Sequence, residues 1–470
     1  MKTTTTVSFL SLLLGASGCL TEWELHHDGR HAGRRPHLGR RQIPVPGNGT
    51  NPNITSIPIG VGDRFQNGTI APRGLGIQDP PYYIPPANNI SNLPDPAAAP
   101  FKTIYNIAEL NSASRALARE FDLQYFETPH KTYENRTMFG LKIPGERSHP
   151  HKNSGYTVLL QAGIHARERG GPDHLTNFIA DLLWARREKK GLQYGGVIFT
   201  AEEVRTALSV GIVILPLINP DGVAYDHATN LCWRKNRNPT SSSPNDTFSV
   251  GIDLNRNFPP AWNYTKFLAP GVMVASSMDP SSEAFIGTAP LSEPETKNID
   301  WTMDQMPDLR WFLDLHSFAG VLLTGWGHDS NQVKDKAQNL LNPEYDGKRG
   351  QFPDTNQYRY GEYYAQKAYD AVGLLARTVV ESMAAVAGAS WVTTQSVSLY
   401  PVSGAASSQP MYRSMVDKKK KWAEGLTLEF GAPSGDSQCP FYPTIVNHQK
   451  NMAEVGAAYM ALLLSAARLK

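Results

Sequence analysis

Three largely apolar runs of strand length, 156–162, 210–217 and 309–315, recur along a chain whose intervening stretches carry helical periodicity. Runs that are apolar at nearly every position fit strands buried on both faces rather than strands with one wet face. Such strands need helices to cover them. Candidates stand at 107–121, at 357–387, at 447–468 and at 172–189, where Leu175, Phe178, Ile179, Leu182 and Leu183 fall on one face. Shorter strand candidates lie at 137–143 and 425–430. Strands alternating with helices predict an α/β fold rather than an all-α or all-β one. No internal repeat is present.

Composition narrows the function classes. The 470 residues carry a formal net charge of only +2, which argues against a nucleic-acid binder or a polybasic membrane protein. Residues 1–19 read as a signal peptide, with Lys2, a short apolar core around Phe9–Leu14 and small residues near Gly18 and Cys19. That core is too short for a membrane span, which needs roughly 20 apolar residues. The expected location is therefore secreted and extracellular, with no membrane partner. Seven glycosylation sequons agree with it, at Asn48, Asn53, Asn67, Asn89, Asn135, Asn245 and Asn263. Beyond the leader only Cys232 and Cys439 remain, so stability must come mainly from the core.

Residues 20–100 differ from the rest. They hold the dibasic pairs Arg34-Arg35 and Arg40-Arg41 and are dense in proline, glycine and asparagine, with no regular apolar period. Proline interrupts helix and sheet alike. The stretch is expected to be a disordered, glycosylated pro-segment or tail. From residue 101 to 470 the pattern becomes that of a globular domain.

The chemistry-bearing residues cluster at strand ends. His165 and Glu168 are spaced HxxE just after the first apolar run, and no other histidine among the 13 has a glutamate three places on. Zinc accepts both ligand types, and a catalytic zinc takes three protein ligands plus an open position. His316, just past the third run, offers the missing ligand from the kind of strand terminus where open α/β sheets place their ligands. Three further clusters follow: Asn219-Pro220-Asp221-Gly222 leading to Trp233-Arg234-Lys235-Asn236-Arg237; Gly251-Ile252-Asp253-Leu254-Asn255-Arg256; and Tyr400-Pro401-Val402-Ser403-Gly404 ahead of Leu428-Glu429-Phe430.

In this order and spacing the set resembles the M14 zinc metallocarboxypeptidases of the carboxypeptidase A/B branch, from about Phe101 to Lys470. The resemblance implies a mixed twisted central sheet covered by helices on both faces. It implies a secreted member, of fungal type, that binds one zinc ion through His165, Glu168 and His316, with Asp253 behind His165. Glu429 matches the general base and Arg237 the residue that polarises the scissile carbonyl. Asn255, Arg256 and Tyr400 match the receptor for a C-terminal carboxylate, while Arg167 and Ser317 match subsidiary substrate contacts. The expected reaction releases single C-terminal amino acids from peptides or proteins, by a monomer. His174 has no matching role and is read as structural. Lys418–Lys421 is read as a solvated charge run.

Seven residues after Tyr400 the family places the floor of the pocket for the departing residue, here Ser407, which implies neutral or apolar rather than basic C-termini. Phe318 stands where digestive members have tyrosine, and no globular pro-domain is evident before residue 101. Cys232 and Cys439 lie in segments that should converge on the site, so a disulfide between them is expected; two buried thiols are the alternative. A catalytically silent extracellular or cell-wall binding protein on the same fold is the competing function, disfavoured by the intact ligand set and Glu429.

Overall fold

The computed structural model describes residues 56–77, 101–148, 153–351, 359–388, 390–434 and 439–469. Its strands are β1 (Gln124–Lys131), β2 (Thr137–Ile143), β3 (Val158–Ala162), β4 (Leu192–Tyr194), β5 (Val197–Phe199), β6 (Ile212–Leu215), β7 (Trp311–Ser317), β8 (Val321–Thr324), β9 (Asn331–Gln332), β10 (Glu362–Tyr363), β11 (Val392–Gln395) and β12 (Glu424–Phe430). Eight of them form one sheet in the order β1-β2-β6-β3-β7-β12-β8-β11. The middle of the sheet, β6-β3-β7-β12, is parallel, while β1-β2, β2-β6 and β12-β8 are antiparallel, so the sheet is mixed as expected. β3, β7 and β12 are buried at every position, which is what their apolar runs require.

The helices are α1 (Ile107–Glu120), α2 (Gly171–Glu188), α3 (Ala201–Leu208), α4 (Pro220–Thr229), α5 (Tyr264–Phe267), α6 (Pro294–Asp304), α7 (Gln366–Ala387), α8 (Gln409–Val416) and α9 (Ile445–Arg468). Local chemistry sets several starts. Asn106 with Glu109 and Thr200 with Glu203 form capping boxes, which satisfy backbone donors left open at α1 and α3. α2, α3, α7 and α9 pack with one face of the sheet around Leu160, Leu313, Leu315, Leu426 and Leu428. On the other face Ile299 and Met303 of α6 join Leu159, Val213 and Phe312. Among the described residues no helix is long and apolar enough to cross a membrane.

Two expectations are corrected. Residues 56–77, read as tail, pack on the domain: Phe65, Leu75 and Ile77 are buried, Ile57 N–H donates to Pro443 O at 2.8 Å and Gly76 N–H to Asp181 Oδ2 at 2.8 Å. Trp184 Nε1 also reaches Pro72 O at 2.9 Å. The helix expected at 357–387 begins only at Gln366, because Glu362 and Tyr363 pair with Asn331 and Gln332 instead. The Glu362 carboxylate there accepts from Leu340 N–H and Tyr360 O–H and meets His328 Nε2 at 2.9 Å. Of the sequons, Asn67, Asn135 and Asn245 are exposed and Asn263 is half-buried; Asn48, Asn53 and Asn89, with the leader and the dibasic pairs, lie outside the described residues. His174 is buried in the helix layer. Lys420 and Lys421, at the end of the charge run, reach Asp304 and Asp308 at 2.7 and 2.6 Å.

Candidate metal centre and active site

Parallel strands deliver their carboxyl ends to one edge of the sheet, and the candidate residues gather there. His316 is the last but one residue of β7, and His165 and Glu168 follow β3, the neighbouring strand. Gly163 allows the turn between them: its φ is +71°, a left-handed conformation that disfavours side chains.

His165 Nδ1 lies 2.6 Å from Glu168 Oε1 and 3.1 Å from His316 Nδ1, and His316 Nδ1 lies 3.1 Å from Glu168 Oε2. All three side chains are buried. They form the one group of three or more candidate ligands found among the described residues. The far nitrogen of His165, Nε2, meets Asp253 Oδ1 at 3.2 Å. A proton held there leaves Nδ1 with a lone pair facing a carboxylate oxygen, a contact that a cation between them would reconcile. Two histidines and a glutamate are a fitting donor set for zinc, and a carboxylate behind a metal-bound histidine is the usual support. Burial pushes the Glu168 carboxyl up, but the two histidines outweigh it and hold it below the usual range.

Asp253 does more than back His165. Its Oδ1 also accepts Asn255 N–H at 3.0 Å, and its Oδ2 takes Arg234 Nε and Nη2 at 3.0 and 2.8 Å. Burial would raise this carboxyl, yet the Arg234 and Arg256 guanidiniums hold it well below the usual range. Arg234 also stands 3.3 Å from His165 Nδ1. Its part was not foreseen, since an arginine in a basic loop gives no signal of what it faces. Asp314 was missed too: it lies on His316's side of β7, with Oδ2 at 2.9 Å from His316 Nε2, although that contact is not aligned as a hydrogen bond.

The turn after Asp253 brings the carboxylate-receptor candidates. Arg256 is buried, donating to Ala275 O at 2.5 Å and Asn255 O at 2.8 Å. Asn255 Oδ1 accepts Ala406 N–H at 2.8 Å, which ties this turn to the segment carrying Ser407. Ser407 is buried against β12, where a Cβ on Gly425 would lie only 1.7 Å from its carbonyl oxygen. Tyr400 is half-buried beside a hollow of about 530 Å³ whose lining includes Val272, Met273, Val397 and Leu399.

Glu429 is buried on β12 and pairs with His316 in the parallel ladder. Ser317 N–H donates to Glu168 Oε2 at 3.2 Å, and the Ser317–Phe318 peptide is cis. The Arg167 guanidinium lies 4.3 Å over Phe441, which also packs on Phe318. Cys232 and Cys439 are bonded, so the expected disulfide is present. Arg237 is the candidate the structure leaves apart: it stacks on Tyr225 and Trp233, with Glu134 3.6 Å away, and makes no contact with the triad.

A model of the zinc carboxypeptidase family matches residues 114–407. The chain belongs to the zinc carboxypeptidase family. Glu429 lies beyond the matched stretch. This zinc carboxypeptidase is 29% identical to human carboxypeptidase O over 296 residues, 59% of this chain and 70% of that one. It is 32% identical to zinc carboxypeptidase A 1 of Drosophila melanogaster over 204 residues, 43% of this chain and 40% of the relative. Mouse carboxypeptidase A2 is 32% identical over 214 residues, 44% of each chain. The match therefore spans less than half of the fly and mouse relatives. Among solved structures, carboxypeptidase A from Helicoverpa armigera superposes with a TM-score of 0.55 at 21% identity, covering 80% of this chain and 77% of that one. Thrombin-activatable fibrinolysis inhibitor gives 0.54 at 19%, covering 77% and 75%. These likenesses establish the zinc carboxypeptidase fold.

Proposed function

We propose that this zinc carboxypeptidase is secreted as a monomer and removes single C-terminal residues from peptides or proteins, using one zinc ion. The observation that carries the reading is the convergence of His165 Nδ1, Glu168 and His316 Nδ1 beside Glu429. Zinc, when bound, supplies Lewis acidity that polarises a carbonyl and eases deprotonation of water. Glu429 takes the proton from the attacking water and passes it to the leaving amine. Arg234, 3.3 Å from His165 Nδ1 and 3.9 Å from Glu168, steadies the negative charge that develops on the carbonyl oxygen, in place of Arg237. Asn255, Arg256 and Tyr400 receive the free carboxylate, for which a guanidinium fork is well shaped. Arg167 and Ser317 contact the peptide further upstream.

Ser407 supports neutral or apolar specificity, because the pocket floor then has no negative charge. A lysine or arginine buried there would lose hydration without gaining a partner. Residues 1–19 act as the secretion signal, the tail that follows carries glycans, and the catalytic domain runs from 101 with the 56–77 segment packed on it.

Turnover of peptides ending in Phe, Leu, Lys and Glu, and of a Phe-amide peptide, tests these points together. Neutral C-termini should be preferred and the amide resisted. A Lys-terminal peptide winning by about tenfold, some 1.4 kcal/mol in transition-state binding, would overturn the pocket assignment. Equal cleavage of amide and acid would overturn the exopeptidase reading.

A further inference from the structure

Two fully buried carboxyls, Glu293 and Glu295, converge on one residue of the arginine-bearing loop, Asn236. Asn236 Nδ2 donates to Glu293 Oε2 at 2.7 Å and to Glu295 Oε2 at 3.2 Å. Its Oδ1 accepts Ile252 N–H at 2.8 Å, one residue before Asp253, and Asn238 N–H at 3.3 Å. Asn238 Nδ2 adds bonds of 3.1 and 3.0 Å to the two oxygens of Glu293, and Ser292 Oγ donates to Glu293 Oε1 at 2.7 Å. Asn236 stands between Arg234, which holds Asp253, and Arg237. Arg237 depends on such a brace, for its buried Nε and Nη1 have no hydrogen-bond partner, and only ring stacking and the Glu134 carboxylate 3.6 Å from Nε hold the head group.

Neither glutamate makes an ion pair, and Glu295 Oε1 is buried with no partner. Two anions met only by two neutral amides and a hydroxyl in a dry interior are costly, so the stable state keeps a proton on the pair. The groups facing it do not offset this. They are Asp221 of α4, itself paired with Arg136, and Tyr133 of the β1–β2 turn, with Asn236 and Asn238 neutral. Burial, and then the charge of Glu293, push the Glu295 carboxyl up to about 8.

We propose that Glu293 and Glu295 are positioning residues for the reaction: with one proton between them they hold Asn236 and the Arg234–Arg237 loop, and losing it loosens the loop and limits turnover at alkaline pH. The inference rests on the carboxypeptidase reading above.

The test follows kcat and KM of the zinc-loaded enzyme between roughly pH 6 and pH 10 on a Phe-terminal peptide, for wild type, Glu295→Gln and Glu293→Gln. Wild-type kcat should fall about tenfold per pH unit above the ionisation, with KM changing less. Glutamine at 295 keeps an acceptor for Asn236 and has no proton to lose. The alkaline limb should therefore move up by more than about one unit while kcat near neutrality stays within about twofold. Glu293→Gln removes a charge that helps hold the proton on Glu295, so its limb should move down instead, and this opposite shift keeps the test available if one variant folds poorly. An unshifted limb in both variants overturns the proposal.

A wild type with no peptidase activity at any pH counts against the proposed function instead. The pair is then judged by melting temperature. The folded carboxyl at about 8 lies above the unfolded 4.5, so its stabilising contribution is complete below 4.5 and is lost as pH rises toward 8. Glu295→Gln should flatten that decline, and parallel curves overturn the proposal.

Discussion

Glu429 and His316 stand opposite each other in the parallel ladder of β12 and β7, in the same register that pairs Thr427 with Asp314. The proposed base is thus fixed beside a candidate metal ligand by backbone hydrogen bonds between two fully buried strands, not by a mobile loop.

Glu429→Gln preserves shape and that ladder but removes the basic oxygen. Turnover should fall by about 10²–10⁴-fold, the usual contribution of a general acid–base group, while zinc content is unchanged. Near-normal kcat in the zinc-loaded variant would place the base elsewhere.

Asp253 joins the metal side to the substrate side, since one oxygen meets both His165 Nε2 and Asn255 N–H. Asp253→Ala should weaken zinc affinity by about 10–100-fold, as losses behind a metal ligand generally do. It should also raise KM through the Asn255–Arg256 turn. Competition against a zinc chelator dye measures the first effect, and an unchanged zinc Kd would contradict the assignment.

The Cys232–Cys439 bridge closes a segment of 207 residues. Tyr442 O–H, close to the bridge, donates to Asp226 Oδ1 at 2.6 Å, and Arg169, next to Glu168, lies over the Tyr442 ring. Cys232→Ser with Cys439→Ser should cost up to about 5 kcal/mol by the chain-entropy model. Urea unfolding of the pair variant reads this, and a midpoint equal to wild type would count against a stabilising role.

Acid should weaken the protein for a separate reason. Burial, and then the charge of Arg64, hold His448 down to about 3, below its ordinary 6.5. The unfolded chain therefore binds a proton that the folded one refuses. Stability present above pH 6.5 should decline toward pH 3, by at most about 1.4 kcal/mol per pH unit from this group. His174, whose ring centroid is 5.0 Å from that of His448, shifts the same way through burial. His448→Phe should flatten the acid side of a plot of Tm against pH; curves that stay parallel would remove this histidine from the cause.

The parts of the fold legible in the sequence are those where burial acts on every residue. β3, β6 and β7 announce themselves because both of their faces are covered, and α2 and α9 because a long apolar face recurs. β1 and β11 escaped notice: each is largely exposed or half-buried, so no apolar run marks it. Residues 56–77 escaped for another reason. They are held by separated anchors, Phe65, Leu75 and Ile77, and by backbone bonds, which leave no period to read. At the site, spacing and a family resemblance pointed to His165, Glu168 and His316. Arg234, Asp314 and the Glu293–Glu295 pair stayed hidden, because charged residues in loops or on buried strands reveal their partners only through folding.

The most direct test of the central claim is digestion of a peptide library with free C-termini, analysed by mass for the residues released, with and without 1,10-phenanthroline. Stepwise loss of single neutral C-terminal residues, abolished by the chelator and restored by added zinc, is the predicted result. Internal cleavage, release that survives chelation, or a zinc-loaded protein inert toward every peptide would contradict the account.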